Sequence, residues 1–224
     1  MFSRIFILIF FISSFSFGQL EKEYVFDYKT EYKIPFEKFS TKDIIIGNSN
    51  NDNYFFHITI DTTNYISSIS FYDAEIFKMC KYEIEKEKHI FEIDDLNQLL
   101  KNFTYFNSLS YNPPKYFTEI DTEVINENEY YLIINNYKNK KKKKLKNKAI
   151  IHIAKNDIVE NQILTTRIRF AYNTELNKLK NIKGVVKDFF IVDLKTNEKN
   201  ILQKLISIDS IQFSMKQTYN NFDK

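Results

Sequence analysis

A two-residue alternation near the start of the chain restricts its folding more than any other feature. From Tyr24 to Ile34, one parity carries Tyr24, Phe26, Tyr28, Tyr32 and Ile34. The other carries Val25, Asp27, Lys29, Glu31 and Lys33. Side chains on a strand point to opposite faces in turn, so this spacing predicts a half-buried strand and excludes an amphipathic helix. Pro35 ends it, because proline cannot donate to a ladder.

The same period recurs along the chain. Asp43–Gly47 and Tyr54–Asp61, the latter with Tyr54, Phe56, Ile58 and Ile60 on one parity, flank the polar run 48–53 and predict a hairpin. Further strands are expected at Tyr65–Tyr72, Lys81–Ile93, Tyr116–Glu123, Tyr130–Tyr137, Ala149–Ala154, Ile163–Tyr172, Val185–Leu194 and Ile201–Met215. In the last, Leu202, Ile206 and Ile208 share one parity while Ile211, Phe213 and Met215 take the other, which calls for a bulge near Asp209 and Ser210. Helix signals are confined to Leu96, Leu99, Leu100 and Phe103 behind a cap at Asp94 or Asp95, and to Asn173–Ile182. Asn107–Lys115, with Pro113 and Pro114, reads as a loop. The expected fold class is all-β with one or two short helices: a single curved antiparallel meander sheet of about ten strands, shaped as a half-barrel or open barrel.

Met1–Gly18 has the layout of a secretory signal. Arg4 supplies the positive start, Ile5–Ile12 the apolar stretch, and Ser16 and Gly18 the small residues before the cut. Eight uninterrupted apolar residues are too few for a spanning helix, which needs about 20. The expectation is cleavage after Gly18 and export to the periplasm or beyond, with residues 19–224 forming one β-rich domain. Cys80 is the single cysteine, so no intrachain disulfide can form, and its apolar neighbours predict a buried, inert thiol.

Composition narrows the chemistry. With 43% hydrophobic residues the 224-residue chain has material for a real core, which excludes global disorder. Three glycines leave no room for phosphate-cradling loops or a nucleophile elbow. His57, His89 and His152 stand far apart and in no metal-ligand spacing, and the run 48–53 lacks the glycine and glutamate of a calcium loop. Neither a catalytic residue, a metal nor a cofactor is expected.

Charge is concentrated in one place. Lys138, Lys140, Lys141, Lys142, Lys143, Lys144, Lys146 and Lys148 fall between two expected strands, at the end of a hairpin. With Arg4 removed, 23 basic residues outside this run face 29 acidic ones. Lys140, Lys141, Lys142, Lys143 and Lys144 are therefore the candidate contacts to an anionic membrane surface. Nucleic acid is not an expected partner, since the rest of the surface is acidic and the chain is exported. The second candidate is the aromatic strand faces. Tyr24, Phe26, Tyr28, Tyr32, Tyr54 and Phe56 are the expected lining for a lipid or other apolar small molecule.

A signal ending before Gln19, immediate entry into Tyr24–Ile34, then successive alternating strands with a short helix midway, resembles small secreted proteins of the Bacteroidota. More loosely the layout resembles the lipoprotein-carrier (LolA-like) half-barrel, a curved antiparallel sheet around an apolar groove. That resemblance implies a non-catalytic binding or carrier module for a hydrophobic ligand. The alternative expectation is an envelope or cell-surface protein that contacts anionic surfaces through its lysine loop.

Overall fold

The computed structural model describes residues 20–35, 40–51, 53–63, 65–73, 78–82, 107–108, 117–159 and 183–219. The signal segment, both expected helices, the expected strand Ile163–Tyr172, most of Lys81–Ile93 and the Cys80 side chain lie outside the described residues. Among the described residues there are eleven strands: β1 (Leu20–Lys33), β2 (Ser40–Gly47), β3 (Tyr54–Asp61), β4 (Ile66–Asp73), β5 (Lys78–Tyr82), β6 (Asn107–Ser108), β7 (Phe117–Asn126), β8 (Glu129–Tyr137), β9 (Leu145–Ala154), β10 (Val185–Val192) and β11 (Lys199–Tyr219).

The fold is all-β, one antiparallel sheet not closed into a barrel. Its strand order is β6-β5-β4-β3-β2-β1-β11-β10-β9-β8-β7. Neighbours in sequence are neighbours in space, as short connections favour. The meander comes in two runs, β1–β6 and β7–β11, and the first and last strands meet in the middle. By contacts the chain forms two compact units: residues 26–213, and the two extremities 1–25 with 214–224. In the extremities Lys216 pairs with Glu21 at 3.5 Å.

The β2–β3 hairpin follows from its turn chemistry. Asn48 Oδ1 accepts the backbone N–H groups of Asn50 and Asn51 at 2.8 and 2.9 Å, and Asn51 Oδ1 accepts that of Asn53 at 3.0 Å. Such side-chain turns reverse the chain without glycine. The carboxylate of Asp27 fastens the turn to β1, taking the N–H of Ser49 at 2.7 Å and its hydroxyl at 2.6 Å.

Register then sorts side chains to faces. Tyr28, Thr30 and Tyr32 stand opposite Gly47, Ile45 and Asp43, which stand opposite Phe55, His57 and Thr59. In the other run Leu132, Ile151, Phe189 and Gln203 form one cross-strand row. Gln203 bonds Asp43, so both rows lie on the same face, called inner here. Tyr32, Ile45 and Phe55 from one run and Leu132, Ile134, Ala149, Ile151, Ile153, Val186 and Phe189 from the other form its core.

The outer face differs between the runs. Around β8–β10 it is mixed, with His152 and Asp188 beside Ile133, Ile150, Phe190 and Val192. On β2–β4 it carries Ile44, Ile46, Phe56, Ile58, Ile69 and Phe71, all buried. On β2–β4 the outer face is thus the more apolar one, since the inner face carries Asp43, His57, Thr59 and Ser70, and in β2 every residue from Asp43 to Gly47 is buried.

The last strand departs from its expected parity. Phe213 and Met215 are buried as foreseen, but Ile206 is 51% exposed and Gln203 is fully buried. Leu205 and Ile208, three apart, both pack against inner clusters, so the alternation slips between them. A single residue's slip exchanges the faces of everything beyond it.

Gly184 opens β10 with φ of 117°, and a Cβ there would lie 2.4 Å from the carbonyl oxygen of Ala154. A side chain meets both a disfavoured backbone and an immovable carbonyl. Gly184→Ala is expected to lower stability by at least about 1–3 kcal/mol from backbone strain. Urea denaturation reads this as a fall in midpoint at unchanged slope.

Candidate functional site

The inner face carries a polar island where the two runs meet, apart from the group of buried Thr118 and Asn136 with Asn147 on β7–β9. Asp43 has no accessible surface. Its Oδ1 lies 3.1 Å from His57 Nε2 and accepts the Thr59 hydroxyl at 3.4 Å. Its Oδ2 accepts the Gln203 amide at 3.0 Å. The group thus ties β2 to its neighbour β3 and, across β1, to β11. A buried carboxyl persists only where such partners replace water. Tyr32 reaches in the same way across β11 and donates its hydroxyl to the Val186 carbonyl at 3.1 Å. The His57 side chain retains 12% exposure. A carboxyl with no accessible surface meets no substrate in this arrangement, so the island holds strands in place and offers the inner face a fixed polar point.

The six aromatic residues singled out in the sequence are all buried: five have no accessible surface and Tyr54 has 5%. They fall into separate groups. Phe26 meets Tyr54, Phe56 and Phe213 at centroid separations of 5.4, 5.1 and 5.3 Å, and Phe56 continues to Phe71 at 4.9 Å. Tyr28 packs with Val159 and Val185, and Tyr32 joins the main inner core. Tyr24 belongs to the extremities, where the Lys22 ammonium stands 5.0 Å from its ring centre. On β3 it is Phe55, stacked on Tyr72 at 4.8 Å, that shares the face of Tyr28 and Tyr32.

The lysine run is where the sequence put it. Strands β8 and β9 flank residues 138–144, all exposed, while Lys146 and Lys148 lie on β9. The loop is internally fixed. Lys138 N–H donates to the Lys144 carbonyl and Lys142 N–H to that of Asn139, both at 3.0 Å, with Lys142 at φ of 50°. The Lys142 ammonium is 2.7 Å from Glu119 on β7, and that hydrogen bond raises its pKa. Glu119 also accepts the Tyr137 hydroxyl at 3.2 Å. The Tyr137 phenol is raised as well, by desolvation first and by Glu119 second.

Sequence reasoning missed a third group, on the outer face. His152 on β9 has Nδ1 3.3 Å from Asp188 of β10 and Nε2 3.4 Å from Glu129 of β8. Lys187 pairs with Glu129 at 2.7 Å and holds that carboxyl below its ordinary range. Tyr131 lies 5.1 Å from the His152 ring, and the Lys199 ammonium 5.3 Å from the Tyr131 ring. The three residues are 23 and 36 positions apart in sequence, and only the β8–β9–β10 register aligns them. Among the described residues no group of three or more His, Cys, Asp or Glu side chains is arranged to hold a metal ion.

Compared with family models, curated proteins and solved structures, the chain matches none. What the geometry defines, among the described residues, is an open antiparallel sheet whose buried inner face mixes an apolar core with polar groups, and a cationic hairpin end.

Gln203→Leu removes the amide that Asp43 Oδ2 accepts and should cost about 1–3 kcal/mol, the range for an unsatisfied buried polar group. In a double-mutant cycle with Asp43→Leu the two losses should fall well short of additive, because each removes the same contact. Thermal or urea melts supply all four stabilities.

Proposed function

We propose that this protein is an exported, non-catalytic binding or carrier module whose ligand is hydrophobic and is taken up along the inner face of the open sheet. The observation that carries the reading is how that face is held together. Its core draws on both runs of strands, which the β1–β11 pairing joins, and over that pairing Tyr32 bonds the Val186 carbonyl and Gln203 bonds Asp43 through their side chains. Parting such contacts breaks no ladder, and an apolar ligand replaces the apolar surface that is exposed. His57, which keeps 12% exposure beside the buried Asp43, gives a ligand's polar end a fixed point. The sequence's resemblance to the lipoprotein-carrier layout supports this reading.

Purified mature protein should carry a co-purified lipid mass in native mass spectrometry. After delipidation it should take up a hydrophobic fluorophore saturably. Tyr32→Phe, which unties one cross-sheet contact, should lower stability by about 1 kcal/mol and speed that uptake. A bare polypeptide mass together with no uptake would refute the carrier role.

A second reading has its own observation: residues 138–144 are all exposed on a structured loop. Lysines near an anionic bilayer contribute about 1 kcal/mol each, so the loop supplies a membrane contact. Changing Lys140, Lys141, Lys142, Lys143 and Lys144 to serine should abolish co-sedimentation with phosphatidylserine vesicles at low salt and leave neutral vesicles unaffected. Unchanged binding would remove the loop from the contact.

A further inference from the structure

Two hairpins turn at the same end of the sheet. Strand β8 runs into the lysine loop 138–144 and β9 leaves it, while β10, antiparallel to β9, returns toward that end. Val192, the last residue of β10, stands opposite Lys148 of β9 and Lys199 of β11. The β10–β11 turn, residues 193–198, therefore projects beside the lysine loop, since paired strands such as β9 and β10 lie about 4.8 Å apart. It carries Leu194, 44% exposed, next to the exposed Lys195.

The turn is fixed from within. Asp193 Oδ1 accepts the N–H groups of Lys195 and Thr196 at 2.7 and 3.3 Å, and the Asp193 carbonyl accepts that of Asn197 at 2.8 Å. Asn197 takes φ of 60°, a conformation that asparagine tolerates better than most residues. Leu194 is thus held toward water by a turn with its own hydrogen bonds. Charge at this end is positive among the described residues. Lys195 and Lys199 join the lysines of 138–144, against Asp193 and Glu198 in the turn and Glu119 and Asp121 on β7. Glu119 is already paired with Lys142, and the Lys199 ammonium stands 5.3 and 6.0 Å from the Tyr131 and Phe190 ring centres.

We infer that the β10–β11 turn and the lysine loop together form one docking surface for an anionic bilayer, with Leu194 as the apolar group that enters it. The inference rests on the membrane reading of the lysine loop and adds a second hairpin and an insertion point to it. Charge complementarity selects an anionic partner, and Leu194 selects a lipid one. A soluble polyanion satisfies the lysines but leaves the leucine in water. A bilayer takes both, with ammonium groups at the phosphate level and the apolar side chain below them. The opposite end of the sheet, where Val124 is 75% exposed at the β7–β8 turn, faces away from the membrane in this arrangement.

The test uses the absence of tryptophan from the chain. Leu194→Trp introduces a single fluorescent reporter at an exposed position of the full mature protein. Its emission should shift to the blue when phosphatidylserine vesicles are added at low salt. The shift should be lost at about 1 M salt, where the Debye length is about 3 Å, and absent with neutral phosphatidylcholine vesicles. Val124→Trp, at the opposite end, should show no shift under any of these conditions. In co-sedimentation, Leu194→Ala should weaken binding at least about fourfold, the equivalent of one buried methylene group. Lys195→Ser should weaken it about fivefold, the equivalent of one lysine near an anionic surface. Lysine-dependent co-sedimentation with an unshifted reporter at 194 overturns the inference and leaves the lysine loop as the whole contact. An equal shift at both reporter positions overturns it as well, because the protein then binds without a preferred end. No co-sedimentation at any salt removes the membrane reading itself and the inference with it.

Discussion

The sheet depends on a pairing that the chain can complete only when it is whole. β1 forms one ladder with β2 from nearby residues, but its other edge is satisfied by β11, the last strand. An unpaired central strand leaves a row of buried N–H and C=O groups without partners, which folding does not tolerate. The two meanders are local and cheap to form, whereas their union closes most of the chain into one loop. Non-local pairings of this kind slow folding because their entropy cost precedes their reward. Lys29, held between Glu31 at 3.1 Å and Asp209 at 3.2 Å, marks the junction on the outer face. Desolvation is the largest single influence on that ammonium and pulls its pKa down, but the two carboxylates together outweigh it and leave it raised.

On the inner face the same junction is bridged by side chains. Asp43 and Gln203 are 160 residues apart, and both are fully buried. Tyr32 and Val186 are 154 apart. These contacts give the central strands a polar registration that apolar packing alone does not supply, since hydrophobic contacts are non-directional. They also make the inner face the place where structure and proposed ligand uptake meet. The outer face divides the work differently. Around β8–β10 it sets the network of His152, Glu129, Asp188 and Lys187 beside Ile133, Ile150 and Phe190, while over β2–β4 it is apolar and buried.

Much of this fold was legible in the residues. Alternation located Tyr54–Asp61 to the residue and most other strands within a few positions, because period two is a property of each strand alone. The polar run 48–53 was readable as a turn, since asparagine side chains cap their own backbone. The lysine run announced a solvated loop because such a charge density repels itself. Less was legible of the site. Alternation made Tyr28 and Phe26 equivalent, yet one packs with Val159 and Val185 and the other in the ring stack of Phe56 and Phe213. Phe55 gave no signal of sharing the face of Tyr32 until register was known. Parity also placed Ile206 with Ile208 in the core, where the slip in β11 exposes the former.

The sequence by itself determined that this chain is built of strands, where most of them begin and end, and that its positive charge gathers at a single hairpin. Each of these is a local property, fixed by side-chain spacing, turn chemistry and charge density within a few residues. Only the tertiary structure decided that the first and last strands lie side by side. It likewise decided that Asp43 meets His57 and Gln203, and that His152 sits between two carboxylates. Those pairings turn on cross-strand register, and register is set by how bulges and neighbouring ladders fit together over the whole sheet rather than by any one segment.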